Sequence, residues 1–68
     1  MNARELTPAE AARVYAAMHR EYAAMYRKWA DEVPGSTRRA HWLAEAIRHD
    51  RIAAAEDAVA NGERYALA

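Results

Sequence analysis

Three side chains with ligand chemistry recur every four residues, His41, Glu45 and His49. On a helix that spacing lines one flank, and neighbouring members of such a ladder can share a metal ion. All three together fit poorly, because the ends lie about 12 Å apart along the axis and the flank drifts. Glu56 lies further along, and a fourth ligand would have to come from another chain, with His19 a remote candidate. Ordinary helical pairing of charges four residues apart is the better account, so no metal and no cofactor is expected.

Arg13, Arg20 and Arg27 repeat every seven residues, separated by Ala16, Ala17, Ala23 and Ala24. Their guanidinium groups would stand roughly 10 Å apart on a smooth face. Arginine grips phosphate and carboxylate with paired hydrogen bonds, which makes this a candidate anion or nucleic-acid contact. A plain solvated face of good helix formers is the commoner outcome. Arg38 and Arg39 form a second candidate anion site, beside the start of a helix. There the helix dipole disfavours cations, just as it disfavours Asp31 and Glu32 at the end of the preceding helix. Brought together by a tight loop, the two misplaced pairs neutralise each other as a surface clamp, the favoured account of them.

Catalysis has little to work with. The chain has no cysteine and only two glycines, so it carries neither a thiolate nucleophile nor a glycine-rich phosphate loop. Ser36 and Thr37 are expected to cap a helix. A chain this short encloses no pocket of the size ligands usually fill. No enzyme is expected.

Local punctuation defines the elements that carry these groups. Thr7-Pro8-Ala9-Glu10 has the form of a capping box with proline at the first helical position. Leu6 stands where a hydrophobic staple would begin, with only Ala11 to meet. Pro34 and Gly35 end the first helix. Asn61-Gly62 ends the second, with glycine in the left-handed conformation. The expected fold is all-α: an antiparallel two-helix hairpin with helices at about 8–32 and 37–61, in a single domain spanning 1–68. The segment 1–6 is an N-terminal arm, 33–36 the loop, and 63–68 a tail expected to fold back or dock.

The apolar pattern then assigns faces. Ala11, Tyr15, Met18, Tyr22, Met25 and Trp29 recur at alternating spacings of four and three, a heptad stripe that Val14 and Tyr26 widen. This stripe is expected to be the seam. The second helix would meet it with Ala40, Leu43, Ala44, Ile47, Ala54, Ala55 and Ala58, with Arg51 in their midst. Trp42 then points away from the seam, while Ile52 and Val59 form an offset stripe. These three, with Tyr65 in the tail, are the expected partner contacts, since an exposed tryptophan on a small chain tends to anchor an interface.

Sixty-eight residues are close to the lower limit for burying an independent core, so a further packing surface is expected. A homodimer completing a four-helix bundle, or docking on a partner protein, would supply it. Ten basic and ten acidic residues cancel, which argues against a bulk nucleic-acid binder. The apolar runs are too short for a membrane span, and the N-terminus lacks the apolar core of a signal peptide. A cytoplasmic location follows by default. The basic residues are nine arginines and one lysine amid abundant alanine, a bias that suggests a GC-rich genome such as that of an actinobacterium or one of its phages.

The function expected from these features is a small non-enzymatic protein–protein interaction module: a regulator, a phage-encoded inhibitor of a host protein, or a small subunit of an assembly. The alternative is a nucleic-acid-binding accessory protein using the arginine patches.

Overall fold

A computed structural model describes residues 5–62, and Tyr65 and the rest of the 63–68 tail fall outside that range. Two helices make up the fold, α1 over Pro8–Glu32 and α2 over Ser36–Ala60, with no strand among the described residues. The start of α1 follows from the residues that precede it. Thr7 takes an extended backbone, its Oγ1 accepts from the Glu10 N–H at 3.1 Å, and Glu10 Oε1 accepts from the Thr7 N–H at 3.0 Å. Two orphan donors of the first turn are thereby satisfied. Leu6 stays exposed, so no hydrophobic staple accompanies the box.

Val33, held extended before Pro34, ends α1, and its N–H still reaches the Trp29 carbonyl at 2.9 Å. The start of α2 corrects an expectation. Its N-cap is Gly35, at φ 112°, and neither Ser36 nor Thr37 supplies a side-chain cap. Ser36 is already inside the helix, too late to serve its first turn from the cap position. At the far end, Gly62 at φ 75° donates to the Val59 carbonyl at 3.0 Å, the left-handed stop that Asn61-Gly62 implies.

The two helices pack side by side and antiparallel, as contacts from both ends attest. Trp29 meets Trp42 near the loop, and Arg20 pairs with Asp57 toward the open end. The seam, however, is not the aromatic stripe. Buried on α1 are Ala12, Ala16, Ala23 and Ala30, with His19 and Tyr26 half-buried between them. On α2 the buried residues are Ala46, His49, Ala53 and Ala60, with Trp42 and Glu56 half-buried. Each set follows the heptad rhythm, and running them in opposite directions sets an alanine against each larger residue. His19 falls at the level of Ala53, Ala23 at His49, Tyr26 at Ala46, and Ala30 at Trp42.

This arrangement has a physical cause. Alanine at alternate seam positions lets the axes approach closely, and the methyl groups then give up their water against the neighbouring backbone and ring faces. Each contributes little, about 0.8 kcal/mol per CH2-sized group buried. The larger rings fill the gaps that alanine leaves on the other helix.

The stripe expected at the seam therefore lies beside it. Tyr15, Met18, Tyr22 and Trp29 are exposed, and Met25 is half-buried. At 100° per residue their mean direction is about a quarter turn from that of the seam as a whole, His19 and Tyr26 included. On α2, Ile47 is 50% exposed, Ala40, Ala44 and Ala54 are exposed, and Leu43, Ala55 and Ala58 are only half-buried. The face expected to meet α1 thus turns largely outward. Among the described residues no helix is long and apolar enough to cross a membrane.

Candidate interaction surface

α1 turns three different faces to its surroundings. The first, the alanine seam, carries the ring cluster that joins the helices. The His19 and His49 rings lie edge to edge and nearly coplanar, with centroids 5.0 Å apart and Nδ1 atoms 2.7 Å from each other. Tyr22 meets the His49 ring edge-on at 5.5 Å, and Tyr26 stacks on it at 5.4 Å. Tyr26 also stacks against Trp42 at 5.5 Å, and Trp29 meets Trp42 edge-on at 5.2 Å. Such offset and edge contacts suit the quadrupoles of the rings.

Trp42 therefore does not look outward. It is a half-buried plug at the loop end of the seam, with its Nε1–H sequestered and without an acceptor among the described residues. The reason is register. With Ala30 rather than Trp29 at the centre of the seam, the position on α2 that faces it is 42.

The second face is the arginine flank. Arg20 is ion-paired with Asp57 and Arg27 with Asp50, both across the hairpin. The Arg20 guanidinium hydrogen-bonds the Asp57 carboxylate and attracts its charge, which holds that carboxyl below its ordinary range and raises Arg20 in return. Arg39 completes the loop clamp. Its Nη1 donates to Asp31 Oδ1 at 3.2 Å and to the Ala30 carbonyl at 3.3 Å. A cation from α2 thus meets the carbonyl end of α1, which has no basic residue of its own in its last turn. All five arginines of the candidate anion contacts are exposed, and three of them, Arg20, Arg27 and Arg39, have carboxylate partners within the hairpin.

The histidine ladder dissolves in the same way. Glu45 accepts from Arg48 Nη2 at 3.0 Å, and His49 turns into the seam, only 8% exposed. His41 is exposed and stands edge-on to Trp42 at 4.9 Å. No cluster of three or more His, Cys, Asp or Glu able to hold a metal occurs among the described residues.

The third face is the apolar stripe of α1. Val14, Tyr15, Met18, Tyr22, Met25 and Trp29 cover it without a charged residue among them. Val14 is 47% exposed and Tyr15 51%. Tyr22 and Trp29 reach back to the seam through their ring contacts with His49 and Trp42, which places the stripe on the histidine side of the hairpin, away from the arginine flank. By helical angle, the α2 residues bordering the same side include Ile52 and Val59, both half-buried. The stripe and these two residues thus form one surface. A shallow, open groove follows the outer side of α2, where Ile47 and Ile52 flank Ala44 and Ala55 beside Arg48 and Arg51.

The sequence supplied every residue of this surface but assigned the α1 part to the core. The pairing of His19 with His49 has no local signature, since the residues are thirty positions apart. It becomes readable only once the alanine heptad is taken as the seam. Comparison with protein-family models, curated proteins and solved structures finds no match, so the geometry of the chain alone carries the functional argument.

Proposed function

We propose that this chain is a non-enzymatic protein–protein interaction module that works through the apolar face of α1, with Ile52 and Val59 at its border. A regulator, an inhibitor of another protein, or a small subunit of an assembly would each use such a surface. The observation that supports the reading is the charge-free stripe from Val14 to Trp29, several large apolar side chains left in water on one side of a very small protein. Clustered exposed aromatics and methionines are what interface centres are made of, whereas isolated exposed apolar residues need no explanation.

The test uses positions that take no part in the ring cluster. Met18→Glu and Val14→Glu introduce a charge on the stripe and leave the seam alone. The expected outcome is loss of association, read by light scattering for self-association and by recovery of a defined partner for docking, with helicity by circular dichroism unchanged. Association that survives both substitutions would refute the reading.

A further inference from the structure

We infer that the occupant of the α1 stripe is a second copy of this chain, its own α1 lying antiparallel against the first. This rests on the interaction reading above and names the partner.

The stripe is self-complementary. Tyr15, Tyr22 and Trp29 occupy one heptad position, and Met18 and Met25 the other. When two such stripes pack antiparallel, the first position of one helix meets the second position of its partner. Each central layer then sets a thioether against a ring: Met18 against Trp29 of the other copy, and Tyr22 against Met25 of the other copy. Sulfur–aromatic contact is favourable, and flexible methionine fills the irregular space beside a ring. Packed parallel, the same stripes would stack ring on ring and methionine on methionine.

The geometry of the hairpin fits this partner. The stripe is about a quarter turn from the alanine seam, the angle between the two neighbours of any helix in a square four-helix bundle. Laying α1 on α1 brings the two α2 helices alongside each other. The charges there do not oppose it, since Glu45 and Arg48 neutralise each other within one copy, and the whole chain has a formal net charge of zero.

Because the chain has no cysteine, single cysteines report cleanly. Sedimentation across a concentration series should give twice the 7.7 kDa of one chain, and Met18→Glu should return it to one chain. On mild oxidation Met25→Cys, near the two-fold axis, should form a disulfide-linked dimer. Val14→Cys should not, because antiparallel pairing sets its two copies about 28 Å apart along the helices. The crosslinking pair is read in otherwise native protein, so it stands even if Met18→Glu unfolds. A single-chain mass at every concentration would overturn the inference, as would crosslinking at Val14 in preference to Met25. If the chain is monomeric yet retains a different protein that Met18→Glu releases, the copy is excluded and the interaction reading survives. If neither occurs, both fail.

Discussion

The Nδ1 atoms of His19 and His49 meet across the α1–α2 seam at 2.7 Å, so one proton must lie between them. In the neutral protein one ring donates and the other accepts, which fixes opposite tautomers on two residues thirty positions apart. His49 is buried, and the rings of Tyr22 and Tyr26 flank the pair.

Removing one member leaves the other without its partner in a sheltered site. His19→Leu or His49→Leu alone is expected to cost about 1–3 kcal/mol, while the double substitution should cost less than the sum of the two. Chemical denaturation of the four proteins in a cycle measures the coupling. Nitrogen-15 spectra of the pair with both imidazoles neutral should show one Nδ1–H and one Nε2–H tautomer. Two identical tautomers would rule out the shared proton.

The alanine seam makes a separate prediction. Ala23 and Ala53 are fully buried at the seam, so the bulk added by Ala23→Leu or Ala53→Leu should push the helices apart. Overpacking of this kind is expected to destabilise the fold by about 1–3 kcal/mol. Ala17→Leu, on an exposed position of the same helix, should be nearly neutral. Thermal unfolding of the three variants decides. Had the aromatic stripe been the seam, Ala23→Leu would have been as harmless as Ala17→Leu.

Trp42→Asp should now unfold the hairpin rather than merely release a partner. The substitution removes the ring that Tyr26 and Trp29 pack against and places a carboxylate at the half-buried end of the seam. Loss of helicity by circular dichroism is the expected result. Full helicity in this variant would return Trp42 to the outer surface.

Asp57 gives the pH dependence. Its carboxyl is held below the ordinary range by Arg20, a depressed folded-state value. The stability this pair supplies is therefore present above the unfolded value, about 3.9, and is lost as pH falls through the folded one. The pair is exposed, so the contribution is small and screened by salt. Asp57→Asn should be slightly less stable than the native chain at pH 7 and indistinguishable from it near pH 2. A difference that persists in strong acid would assign the effect to something other than this charge.

The ends of the helices were legible because their chemistry is local. Thr7 and Glu10 satisfy each other within one turn, Pro34 restricts Val33 directly, and Gly62 takes a backbone conformation that few other residues tolerate. The clamp of Arg39 on Asp31 was legible for the same reason, as charges placed against both helix dipoles need one another. The start of α2 misled, since Ser36 and Thr37 have capping chemistry but lie one step too late to use it. The seam misled more seriously. α1 carries two heptad stripes, one of alanines with His19 and Tyr26, and one of aromatics and methionines. Side-chain hydrophobicity favours the second. Which one is buried depends on how closely the axes approach, and that distance is a property of both helices together. Trp42 and the histidine pair followed the seam, so one misassigned face displaced both.

The unequal starts of the two helices bear on how the chain comes to be folded. α1 opens with a complete reciprocal cap and a proline already set to a helical angle, whereas α2 opens on a bare glycine with two arginines in its first turn. The first segment to leave a ribosome thus carries its own start signal, while the second has none and is expected to lean more on the surface already formed. Assembly acquires a direction, with the earlier half as template and the later half winding along it. Peptides of the two halves, studied apart, would differ in helical content despite their equal length.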